Sequence, residues 1–206
     1  MPSAEGMAAT APAPPCFHAR HPDPGAGVSA SPLFLRAFEL VVVREEGGLS
    51  LDYWDPGNWT GGAVGRGLCR GTDKGLSAAA FPTLDFPVSA AVAQAIYRRK
   101  YWDPIGGDEL PAGVGVMVFD SAVNQGVVFA ARALQQAVHV TADGVVGPET
   151  LSAVSACPAH ALLRGVFVLR ALEYARGSAR FQKGWFARLY RISAASAALA
   201  GERAYE

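Results

Sequence analysis

After Ser31-Pro32 the apolar positions Leu33, Phe34, Ala37, Phe38, Val41 and Val42 return every three or four residues, the period of one helix face. Serine followed by proline is a strong helix start, so the pattern predicts a helix from Ser31 that ends at Glu46, with Gly47-Gly48 as its stop. The period then vanishes. From Gly47 to Gly75 there are nine glycines and three aromatics, Tyr53, Trp54 and Trp59, which reads as a long β-prone loop with room for a small hairpin. Helical patterning resumes over Ser89 to Trp102, where Arg98-Arg99-Lys100 suit a helix C-terminus. It continues from Pro111 through Val123 with a break near Asn124-Gln125-Gly126, and then over Val127 to Val138. Asp143-Gly144 marks a turn, and Pro148 to Ala156, Ala159 to Arg176 and Ala179 to Leu199 complete the series. The expected architecture is mainly α, with a glycine-rich insert after the first helix.

Two hundred and six residues suffice for a sizeable core. Residues 1–30, with Pro12, Pro14, Pro15, Pro22 and Pro24, read as a disordered leader lacking the basic start and apolar run of a signal peptide. The expected division is leader 1–30, a first region 31–126 and a helical region 127–206 packed on the same domain. Eighteen basic and eighteen acidic side chains balance, which excludes global attraction to nucleic acid or an anionic membrane. Cys16, Cys69 and Cys157 are widely spaced with no Cys-x-x-Cys, so they read as reduced thiols and not as a metal site or disulfide framework. No apolar run is long enough for a membrane span, and the expectation is a chain made in the cytosol without stable membrane insertion.

Glu46 is the leading candidate for chemistry. A carboxyl at a helix C-terminus faces unpaired carbonyls and the negative end of the dipole, which favours the protonated form needed in a general acid. By position alone a solvated helix end is the plainer reading. The loop adds Asp55 in Trp54-Asp55-Pro56-Gly57 and Thr72 in Thr72-Asp73-Lys74-Gly75-Leu76. Glycoside cleavage needs one carboxyl to protonate the leaving oxygen and, in an inverting enzyme, a carboxylate to activate water. Glu46, Asp55 and Thr72 supply those groups. Asp55 and Thr72 have structural readings too, as a turn residue and as a hydroxyl bonded to the local backbone.

The Glu-to-Asp spacing and the Thr-x-x-Gly-Leu segment resemble phage-type lysozymes. A second resemblance is closer. Glu46-Gly47-Gly48, Asp55-Pro56-Gly57-Asn58-Trp59-Thr60-Gly61-Gly62, Gly71-Thr72, Gly75-Leu76, Tyr101-Trp102-Asp103, Gly107-Asp108-Glu109-Leu110-Pro111 and Phe119-Asp120 with Asn124 and Gly126 resemble glycoside hydrolase family 108, the N-acetylmuramidases of phage and prophage endolysins. The resemblance implies a lysozyme-like fold and cleavage of the β-1,4 bond between N-acetylmuramic acid and N-acetylglucosamine in bacterial peptidoglycan. Glu46, not Glu45, is then the catalytic acid, while Asp55 and Thr72 place or activate water, without a metal or other cofactor. Glu45 reads as a surface charge. The resemblance also implies holin-dependent release from the cytosol to the cell wall. Leu49 and Lys74 depart from family positions usually held by aromatics. A non-catalytic wall-binding or phage structural protein and a lytic transglycosylase are the alternative readings.

Tyr53, Trp54 and Trp59 are candidates for stacking on sugar faces, with core packing as the rival role; for Tyr101 and Trp102 packing is favoured. Asp120 and Asn124, four apart, share a helix face that lets both line a cleft, though Asn124 also suits a cap. Leu134-Gln135-Gln136 with Asp143-Gly144-Val145-Val146-Gly147-Pro148 resembles small helical peptidoglycan-binding modules, and these residues also suit a purely architectural corner. Between Arg164 and Arg191 seven Lys/Arg face Glu173 alone, a basic run suited to anionic walls or to a solvated helix surface. No nucleic-acid motif is present.

Overall fold

The computed structural model describes residues 30–201; the expected leader lies outside them. The fold is mainly helical, with a small sheet in the glycine-rich insert, as the patterning predicts. The first helix, α1 (Pro32–Phe38), is capped by Ser31, whose Oγ accepts from the Phe34 amide at 3.1 Å. It continues through a wider π-type turn, Glu39–Val43, so regular helix stops short of the expected end. The Glu46 amide still bonds the Val42 carbonyl at 3.0 Å, and Glu46 therefore sits on the turn that closes the helix.

The insert folds around β1 (Thr72–Asp73) and β2 (Leu76–Ser77), an antiparallel pair with Thr72 opposite Ser77. Ser50 bridges Thr72 from the other side, and Trp59 bridges Cys69. Asp73 ties this hairpin to the chain at Val88: its buried carboxylate accepts from the Val88 amide at 2.8 Å and from Lys74 Nζ at 2.9 Å. A polar group so buried needs such partners.

Six more helices are found among the described residues. α2 (Ala90–Tyr97) runs on through a wider turn to Trp102, α3 (Ala112–Gln125) is the central helix, and α4 (Val127–Ala137) follows the break at Gly126. α5 (Pro148–Ser155), α6 (Ala159–Arg176) and α7 (Ala179–Leu199) begin and end close to the predicted boundaries. α3 is buried along most of its length, which explains its unbroken apolar run, Val114 to Phe119. α1, α4, α6 and α7 all pack on it. One apolar core joins Phe34 and Phe38 to Trp102, Phe119, Leu134, Leu162 and Leu189. Phe34, Trp102 and Phe119 meet pairwise with ring centroids 5.4–6.2 Å apart, in tilted and edge geometries that suit aromatic quadrupoles. Gly113 lets α7 come close to α3: a Cβ there would lie 2.1 Å from the Ser196 carbonyl oxygen. Among the described residues no helix is long and apolar enough to cross a membrane.

Candidate active site

The closing turn of the first helix presents two consecutive carboxylates, and α7 holds both. Arg188 Nη1 donates to Glu46 Oε1 at 2.6 Å. One turn further along α7, Arg191 grips Glu45 with two bonds of 2.9 and 2.6 Å. Glu45 is therefore not the free surface charge expected from sequence: only 8% of its side chain is exposed. The Arg191 bond holds its carboxyl below the ordinary value, against the opposing effect of burial. Glu46 keeps 22% of its side chain exposed, so it combines a fixed partner with access to solvent.

The second oxygen of Glu46 faces the hairpin. A Cβ on Gly75 would stand 2.9 Å from Glu46 Oε2 and 2.6 Å from the Tyr97 hydroxyl, and Gly75 also has a φ of +71°. Glycine is thus required twice over in Thr72-Asp73-Lys74-Gly75, by its backbone conformation and by the carboxylate lying against it. Tyr97 donates to the Lys74 carbonyl at 2.8 Å and fixes the turn against α2. Burial, reinforced by the Glu46 charge, raises the Tyr97 and Tyr101 hydroxyls above their ordinary value, so both stay neutral donors.

Asp55 and Thr72 border the same hairpin. Thr72 is half-buried in β1, its backbone paired with Ser50 and opposite Ser77. Asp55 is exposed and caps the short turn Pro56–Asn58, with Oδ1 accepting from the Gly57 amide at 2.8 Å. Gly57 in turn lies against Ser77 of β2, and its carbonyl accepts from the Ala79 amide at 2.9 Å. Glu46 meets the turn of the hairpin, whereas Asp55 adjoins its strand end. The arrangement gathers one solvent-reaching carboxyl fixed by a guanidinium, one exposed loop carboxyl and one strand hydroxyl around the hairpin Thr72–Ser77.

Asp120 is placed differently from expectation. It does not line a cleft; it is fully buried, with Oδ2 accepting from Arg170 Nη2 at 2.5 Å and Oδ1 from Arg188 Nε at 2.8 Å. The helical spacing holds, but α6 and α7 cover this part of α3, and a buried carboxylate must find cations. Asn124, one turn on, is exposed, and its Oδ1 accepts from the Tyr174 hydroxyl at 3.0 Å. The basic run is likewise not one solvated face: Arg170 and Arg188 turn inward and Arg191 binds Glu45. For Arg188, burial opposes the cation, but Asp120 and Glu46 outweigh it and raise the guanidinium above its ordinary value.

The insert's aromatics divide by exposure. Trp54 is 76% and Tyr53 51% exposed, with their rings edge to face at 5.2 Å. Trp59 is 8% exposed and donates from Nε1 to the Tyr53 carbonyl at 2.8 Å, so it is a pillar beneath Tyr53 instead of a free stacking face. Trp102 is wholly in the core and Tyr101 packs beside Tyr97. Lys74, a departure from the family pattern, spans Asp73 and the Val88 carbonyl. Gln135 and Asp143 build an internal corner: Gln135 Nε2 donates to Asp143 Oδ1 at 2.7 Å and Oε1 accepts from the Gly144 amide at 2.9 Å.

Comparison with known proteins places this geometry. The sequence model of the family described as Glycosyl hydrolase 108 matches residues 40–126, a stretch that includes Glu46, the whole insert and α3. The solved structure of SagA from Brucella abortus superposes with a TM-score of 0.65 at 29% identity, over 84% of this chain and 98% of that one. No match is found among curated proteins. The carboxylate-bearing hairpin lies inside the segment that matches the glycosyl hydrolase 108 model, a solved relative covers most of the chain, and the protein is a glycoside hydrolase.

Proposed function

We propose that the substrate is bacterial peptidoglycan and that the enzyme is an N-acetylmuramidase, hydrolysing the β-1,4 bond from N-acetylmuramic acid to N-acetylglucosamine. One observation carries this reading: Glu46 is solvent-reaching, fixed through Oε1 by Arg188 and set with Oε2 against Gly75 of the hairpin. In this mechanism Glu46 is the general acid. Because Oε1 is taken by a guanidinium, the transferable proton resides on Oε2, which gives it to the glycosidic oxygen as the C–O bond breaks. Water completes the reaction at the anomeric carbon. Asp55, with Thr72, orients that water and accepts its proton, the division of labour that glycoside hydrolysis requires of two carboxyl groups. Tyr53 and Trp54 offer exposed rings for sugar faces, and Asn124 offers a polar contact.

The wall-degrading role extends to endolysin-like lysis, with passage of the enzyme from the cytosol through a holin pore. Induced expression with and without a co-expressed holin tests that step: lysis only with the pore supports it, and equal lysis without the pore refutes it. The reaction itself is tested by digesting purified peptidoglycan and weighing the fragments. Products bearing a reducing N-acetylmuramic acid support the muramidase. A 1,6-anhydro end identifies a transglycosylase, and binding without new ends identifies a non-catalytic protein.

A further inference from the structure

We propose that Arg188 is a positioning residue for the proton transfer, and that Asp120 and Arg170 exist to hold it. The proposal rests on the reading of Glu46 as the acid. Arg188 is a fork between two carboxylates on different elements: Nε reaches Asp120 on α3 at 2.8 Å and Nη1 reaches Glu46 at 2.6 Å. Asp120 is in turn fixed by Arg170 of α6, which is fully buried and bonded also to Gln125 Oε1 at 2.8 Å and to the Met117 carbonyl at 3.3 Å. Three helices thus converge on one guanidinium whose outer end meets Glu46.

Three buried ionic groups, Asp120, Arg170 and Arg188, are costly to desolvate, and such clusters are weak evidence for stability alone. Their charge count points to chemistry. With Glu46 ionised, two carboxylates offset two guanidinium groups; with Glu46 protonated, the cluster carries one excess positive charge. When the proton leaves Oε2 for the glycosidic oxygen, the negative charge that develops on Glu46 meets a cation already in place. An interaction that strengthens as the reaction proceeds lowers the barrier without tightening substrate binding. The same bond fixes which oxygen carries the proton. Arg170 and Arg188 both lie beyond residue 126, so the C-terminal region supplies this part of the site and the segment that matches the family does not.

The experiment compares kcat and KM of purified full-length Arg188→Gln, Arg188→Lys and Glu46→Gln enzymes on soluble peptidoglycan fragments, with thermal unfolding to confirm the fold. A misplaced catalytic group can cost about 100-fold in rate, so Arg188→Gln is expected to lose about that factor in kcat with KM within about twofold. Arg188→Lys keeps the charge but cannot span both carboxylates, and is expected to fall between wild type and Gln. If the Gln variant does not fold, the Lys variant decides. Folded variants with unchanged kcat overturn the proposal, as does a rise in KM at constant kcat, which would make Arg188 a substrate contact. Full activity of Glu46→Gln would refute the acid itself; an inactive Glu46→Gln beside fully active Arg188 variants would refute only the positioning role.

Discussion

Gly75 shows how closely the candidate site is fitted at the level of single atoms. Its φ is +71° and the space a side chain would need is occupied by the Glu46 carboxylate and the Tyr97 hydroxyl. Gly75→Ala should therefore destabilise by about 1–3 kcal/mol, from the left-handed backbone and the crowding together, and should reduce turnover by displacing Glu46. Urea unfolding and turnover, measured on the same preparation, check both. The exposed and covered tryptophans make a second contrast. Trp54→Ala should leave stability within about 0.5 kcal/mol while raising KM, and Trp59→Ala should cost about 3–5 kcal/mol by emptying the space beneath Tyr53. Equal effects at the two positions would contradict the assignment. Glu46, Asp55 and Thr72 were legible as candidates because each lies in a short string with its own backbone requirement. Arg188 was not, since its partner is 142 positions away and nothing local distinguishes it from a surface arginine.

At the scale of elements, the helices were readable because each carries its own period and its own start or stop: Ser31-Pro32, Pro111, Gly126, Pro148 and Pro158 all fall at helix ends. The burial of Asp120 could not be read that way. Residues on one face of α3 meet cleft or core according to which helices cover them, and that depends on α6 and α7 packing over its middle. The consequence is a stability prediction. Asp120→Ala would leave the buried Arg170 without its carboxylate partner and Arg188 with Glu46 alone, and should cost about 3–5 kcal/mol, readable as a lower urea midpoint. Asp55 supports its own short turn, so Asp55→Ala should cost about 1 kcal/mol through the lost cap. A fall in kcat well beyond the loss of folded enzyme is the result that assigns Asp55 to the reaction; hydrolysis at the wild-type rate removes it.

For the molecule as a whole, the ionic contacts connect stability to pH. Arg191 holds Glu45 below its ordinary value. At Asp108 burial works against ionisation, but bonds from Ser31 and Trp102 and the charge of Arg98 outweigh it and lower that carboxyl too. Groups lowered in the folded state contribute stability above their unfolded value, near 4.5 for Glu45, and lose it as pH falls through the folded value. Glu45→Gln should accordingly be less stable at neutral pH by about 0.2–1 kcal/mol, with the difference from wild type closing in acid. Thermal unfolding across the pH range checks this, and a gap that widened in acid would contradict the pairing. The balanced overall charge excludes global attraction to polyanions but is silent on this internal pairing, because composition counts charges without saying which of them meet.

In the proposed mechanism a proton held on Glu46 cleaves a glycan strand by hydrolysis. Mass analysis of purified peptidoglycan digested by wild-type and Glu46→Gln enzymes tests it most directly. Wild type should release fragments with a reducing N-acetylmuramic acid end, each carrying one added water, and Glu46→Gln should slow their release by about 100-fold or more. Anhydro ends from the wild type, or undiminished release by Glu46→Gln, would contradict it.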